Sequence, residues 1–152
     1  MKKLYSITLF LLALSACTKV PLREYEEAVV GSWELYDVDR VGGGSTSGLR
    51  IRDGKFQFDA NGSMRYTDVN GNVYTGSWRM DRSWVRENCR YDNGYQECDS
   101  RHVKDLQISA IDFTNQRTIM EYFEEIRFTS ETGFRAYLRT NDRRYVYYFR
   151  KQ

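Results

Sequence analysis

The chain has 152 residues, among them 12 Tyr, 8 Phe, 3 Trp, one proline and one histidine, with a formal charge of +2. That length suits one domain, and a single histidine with three cysteines leaves little material for histidine-based catalysis or a zinc site. Lys2 and Lys3 account for the whole charge excess, and the rest carries as many basic as acidic residues, so electrostatics makes no case for nucleic acid or an anionic membrane surface.

Residues 1–16 read as a secretory signal. Lys2 and Lys3 precede an apolar run from Leu4 to Leu14, and two small residues, Ser15 and Ala16, precede Cys17. The stretch is about 13 residues, too short for a spanning helix of roughly 20. Leu14-Ser15-Ala16-Cys17 resembles the bacterial lipobox. The resemblance implies that the chain is cut before Cys17, that this cysteine receives a diacylglycerol thioether, and that its new amino group is acylated. The membrane partner would then be held through several acyl chains, enough for firm anchoring. Thr18 stands where some bacteria place an aspartate for inner-membrane retention, which favours the outer membrane. Lys19 and the later Glu26-Glu27 match acidic surface-export signals poorly, which favours the periplasmic face.

Residues 17–30 form a tether and a short helix. Pro21 suits a first helical position, Glu24, Glu26 and Glu27 fall early, and Gly31 can end it. Leu22, Tyr25 and Val29 would share one face.

From Ser32 the apolar period becomes two. Strands are expected at 33–39, 51–58, 63–68, 73–80, 83–88, 103–111, 117–128, 133–140 and 143–150. Asp59-Ala60-Asn61-Gly62, Val69-Asn70-Gly71-Asn72 and Thr140-Asn141-Asp142 supply short hairpin turns. Gly42 to Gly48 is a flexible linker or lid with neither a phosphate-loop lysine nor a nucleophile elbow. Arg90 to Arg101 reads as a long polar loop.

Alternation assigns Phe56 and Phe58, then Tyr74, Gly76, Trp78 and Met80, to an inner face. Leu106, Ile108 and Ala110, Phe134, Ala136 and Leu138, and Tyr145, Tyr147 and Phe149 join them. One apolar and one polar face on nearly every strand predicts an all-β fold, an up-and-down antiparallel β-barrel with a short N-terminal helix. Nine strands cannot close such a meander. Either 83–88 is not a barrel strand, or the sheet has a gap, or 117–128 is broken; Glu124-Glu125 could mark a bulge there. In phase with Met120, Tyr122, Ile126 and Phe128, Glu124 would point inward and need an arginine partner or serve as a ligand anchor.

With Cys17 lipidated, Cys89 and Cys98 remain. Two cysteines in a polar segment of an exported chain point to a disulfide, and their spacing does not fit a metal site. His102 follows Arg101 in a loop-like stretch and reads as structural. Adjacent carboxylates at Glu26-Glu27 and Glu124-Glu125 do not make an acid–base couple, so no catalytic residue and no cofactor is expected.

Gly31-Ser32-Trp33, opening the first strand after a helix and before a glycine-rich loop, resembles the G-x-W start of the lipocalins and the wider calycin group. Phe56-x-Phe58-Asp59-Ala60-Asn61-Gly62-Ser63 and Gly76-Ser77-Trp78 resemble small lipocalin-like envelope lipoproteins. Thr140 to Tyr145 matches the second lipocalin motif only loosely, with Asn141 interposed. The resemblance implies a lipocalin-like barrel over 31–152, with Trp33 closing one end beneath an arginine of the last strand, Arg144 or Arg150. It also implies an interior able to hold a ligand.

Two functions follow. In the first, the barrel holds a small apolar or amphipathic molecule lined by Phe56, Phe58, Tyr66, Trp78, Tyr122, Glu124, Leu138, Tyr145 and Tyr147. In the second, side chains fill the barrel, and the chain is a structural or protein-interaction lipoprotein, inhibitor types included. Such a chain would present Tyr91, Asn93, Tyr95 and Gln96 to an envelope protein.

Overall fold

A computed structural model describes residues 22–141 and 143–152, with side chains from Glu24 onward. Cys17, residues 1–16 and Asp142 lie outside the described residues.

Helix α1 (Leu22–Val29) leads into β1 (Gly31–Arg40). The strands that follow are β2 (Gly54–Phe58), β3 (Ser63–Thr67), β4 (Val73–Asp92), β5 (Tyr95–Asp112), β6 (Arg117–Ser130), β7 (Gly133–Thr140) and β8 (Arg143–Lys151). Each strand pairs antiparallel with the next, and β8 pairs back onto β1, so the sheet closes as an eight-membered ring. Closure removes every edge along the ring itself.

Short turns set the order. Gly62 N–H donates to Asp59 O at 3.0 Å and Gly71 N–H to Asp68 O at 3.0 Å. Both glycines have φ of +82°, which a side chain would strain. Asp68 also accepts from the Asn70 and Asn72 backbone, both at 2.9 Å.

The expected ninth strand does not exist as such. Residues 73–80 and 83–88 belong to one strand, β4, which is 20 residues long and runs past the ring. Its partner β5 also starts early, so Arg90 to Arg101 is not a loop but the far part of a two-stranded ribbon. Asn93 and Gly94, with φ of +47° and +83°, make its turn. This is the Asn-Gly hairpin signal. It was legible at 93–94, but strongly polar flanks mask it. The strand expected at 51–58 begins only at Gly54, whose φ is +112° and whose added Cβ would meet Thr67 O at 2.5 Å.

The core lies inside the ring. Trp33, Leu35, Phe56, Phe58, Tyr66, Leu106, Phe123, Phe134, Ala136, Tyr147 and Phe149 are all buried. Burying each large apolar side chain contributes roughly 1.5–3 kcal/mol. At one end α1 packs through Tyr25 and Val29. Tyr25 meets Phe128 edge-on at 5.4 Å, and Trp33 Nε1–H donates to Val29 O at 2.7 Å. At the other end the segment after Arg40 returns with Ile51 fully buried, and Tyr66 OH donates to Asp53 O at 2.9 Å.

Candidate functional site

Seven of the nine residues expected to line the interior are there. Phe56, Phe58, Tyr66, Trp78, Leu138, Tyr145 and Tyr147 are buried in a single cluster. Their rings pack against one another. Phe56 stacks on Tyr66 at 4.6 Å and meets Phe149 at 5.5 Å, Phe149 stacks on Phe134 at 4.4 Å, and Phe134 meets Trp33 at 4.7 Å. Phe58 meets Trp78 at 5.6 Å and Phe123 meets Tyr147 at 5.1 Å. Three clefts, of about 460, 490 and 270 Å³, open on the outside of the ring.

Tyr122 and Glu124 are not interior residues. Ile119 and Phe123 point inward, which puts Met120 and Tyr122 outside. The pairing of β6 with β7 shifts register between Phe123 and Glu125, the bulge expected at Glu124-Glu125. The inserted residue reverses the phase beyond it. Ile126 therefore points inward, while Glu124 lies among outer-face arginines, 3.1 Å from Arg139 and 3.0 Å from Arg144. The carboxylate on the inner parity is Glu121, opposite buried Ile108. Burial pushes its carboxyl up, offset in part by Arg50. The Tyr147 hydroxyl, fully buried, has no hydrogen-bond partner among the described residues.

Trp33 occupies the helix end of the ring, but neither Arg144 nor Arg150 reaches it. Trp33 pairs across β1–β8 with Lys151, whose Nζ lies 5.5 Å from the indole centroid. Arg150 points outward, donating to Glu34 at 2.7 Å and covering Tyr36. Arg144 lies over Tyr137 at 4.6 Å.

Outside the ring, the most organised feature is the base of the β4–β5 ribbon. Glu125 is buried on the outer face. Arg101 of the ribbon donates to both its oxygens, at 2.6 and 2.7 Å, and to Glu87 at 3.1 and 2.9 Å. Arg127 adds bonds of 2.5 and 3.1 Å and Arg144 one of 3.4 Å. Burial would raise the Glu125 carboxyl, but the arginine hydrogen bonds outweigh it and hold it below the usual range. Nearby, buried Asp105 accepts from Ser83 Oγ and from Tyr122 OH, the latter at 3.2 Å. These contacts fasten the ribbon's odd-numbered face to the barrel wall.

Beyond that base the ribbon is exposed. Cys89 and Cys98 are joined by a disulfide at a register shift between Glu87 and Arg90. Tyr91 and Tyr95 are 80% and 81% exposed at the tip. His102 lies against Trp84, its cross-strand partner, with centroids 3.5 Å apart and the rings tilted by 41°. Among the described residues no group of three or more His, Cys, Asp or Glu side chains gathers to hold a metal.

Comparison with protein-family models, with curated proteins and with solved structures gives no match.

Proposed function

We propose that this is a non-enzymatic envelope lipoprotein, anchored at Cys17, whose lipocalin-like barrel is a filled scaffold that presents the β4–β5 ribbon to a partner protein. The observation that carries this reading is the chain of ring contacts from Trp33 through Phe134, Phe149 and Phe56 to Tyr66, which occupies the interior with the protein's own side chains. The lipocalin-like assignment draws support from the eight-strand ring, the helix before β1, and Trp33 buried at the helix end. With the interior occupied, recognition falls to outer surfaces. The ribbon tip offers two exposed tyrosines of low conformational cost, flanked by Asn93 and Gln96 and held in shape by the disulfide.

The test is crosslinking in cells with a photoreactive residue at position 91 or 95. Position 70, in the turn between β3 and β4 at the opposite end, is the control. A discrete protein adduct from the tip and none from the control supports the proposal. Equal labelling, or none from the tip, refutes it.

A further inference from the structure

Strand parity carries the inner face of the barrel directly into one face of the ribbon. Trp78 and Met80 of β4 lead to Arg82, Trp84 and Arg86, and Leu106 of β5 leads back to Lys104 and His102. Up to the register shift after Glu87, this even-numbered face holds cations and an indole, and no carboxylate. The acidic residues Asp81, Glu87, Asp99 and Asp105 lie on the odd face. Arg82, Arg86 and Lys104 thus share one face of a thin ribbon whose carboxylates, with Arg101 among them, lie on the other. Arg82, Trp84 and Arg86 are exposed, Trp84 to 63%.

The odd face is held against the barrel wall by Arg101 and Glu125, which turns the even face away from the wall. The ribbon also leaves the ring at the end plugged by α1, where Lys104 Nζ lies 4.9 Å from the Tyr25 ring. That is the end at which the chain enters from Cys17. Five peptide steps from Cys17 to Leu22 span at most ~17 Å. The ribbon from Asp81 to Asp92 is ~36 Å long. Pointed straight at an anchoring bilayer, it would have to enter the bilayer. Lying along it, it presents the even face.

We propose that this face seats on an anionic phospholipid surface, with Arg82 and Arg86 on lipid phosphates and Trp84 at headgroup level. Guanidinium groups match phosphate oxygens in a bidentate fork, and indole rings favour the membrane interface. The contact orients the barrel on its anchor and leaves the tip tyrosines for a protein. It rests on the anchoring reading above.

The experiment uses the full chain purified from membranes and placed in phosphatidylcholine vesicles with or without phosphatidylglycerol. Quenching of tryptophan by lipids nitroxide-labelled at the headgroup is the readout. Trp33 and Trp78 are buried, so the exposed indole is Trp84. Quenching that needs phosphatidylglycerol, disappears in Trp84→Phe and fades with salt is the expected result. Each cation near such a surface is worth about fivefold, so R82Q/R86Q should weaken the contact roughly 25-fold. No quenching, equal quenching without phosphatidylglycerol, or quenching unchanged in R82Q/R86Q overturns the inference. Intact mass of the same sample reports the acyl chains separately. An acylated chain without quenching refutes only the seating, and an unacylated chain that is quenched refutes only the anchor.

Discussion

Glu125→Gln removes one negative charge from beneath three arginines and keeps the shape. Arg101 and Arg127 together make four bonds of 2.5–3.1 Å to its carboxylate. Breaking a fully buried pair costs about 3–5 kcal/mol. Here the side chains of Arg101 and Arg127 are 33% and 51% exposed and recover water when released, so about 2 kcal/mol is the better figure. For a domain of this size that lowers Tm by about 7 °C. Thermal unfolding followed by circular dichroism, with the disulfide intact, measures it. The pH dependence has a definite sign. The Glu125 carboxyl is held below its ordinary value in the folded chain, so its contribution is complete above about pH 4.3 and is lost as pH falls through the folded value. Glutamine does not titrate. The gap between the two proteins should be full at pH 7 and narrow below about pH 4.3. A gap under about 2 °C at pH 7, or one that widens on acidification, would show that the arginine cluster does not hold the ribbon base.

Replacing both cysteines by serine, C89S/C98S, should leave barrel melting within about 2 °C, because the disulfide closes a short ribbon segment outside the ring. Amide exchange between 88 and 99 should rise, since that segment can open locally; unchanged exchange there would contradict this. Gly76→Ala puts a Cβ 1.9 Å from Ser109 O on the neighbouring strand, so the β4–β5 pair must spread, at a cost of about 1–3 kcal/mol in urea unfolding. A neutral result would mean the strands are not held that close. Trp33→Ala empties the helix end of the core and should cost about 3–5 kcal/mol in the same assay, whereas Arg144→Gln should not disturb Trp33 fluorescence. A shift of that emission in the Arg144 variant would restore an arginine to the cap.

Strand faces were legible wherever one face is buried. Phe56 and Phe58, and Phe134 to Leu138, alternate cleanly and the core follows that pattern, while Tyr145, Tyr147 and Phe149 take the inner face with Val146 between them also buried. The paired cysteines and the bulge at Glu124-Glu125 were legible too. Two features were hidden for different physical reasons. In the ribbon most side chains on both faces meet water, so no apolar period distinguishes strand from loop, and only Asn93-Gly94 betrays the hairpin. In β6 the adjacent carboxylates Glu124-Glu125 mark the bulge but not the phase on either side of it. One inserted residue exchanges the two faces, so Glu124 and Tyr122 moved outside and Glu121 took the inner position. The Trp33 cap illustrates a third limit. Which cation covers an indole depends on β1–β8 register, and register placed Lys151 there.

The proposed reading joins a barrel filled by its own side chains to an anchor at Cys17. On that proposal, Cys17 would position surfaces rather than a carrier. Native mass spectrometry of the chain, taken from membranes without organic solvent, tests this most directly. The account predicts the mass of the polypeptide from Cys17 with its covalent acyl groups and nothing more. A further apolar molecule bound one-to-one and lost on organic extraction would contradict it.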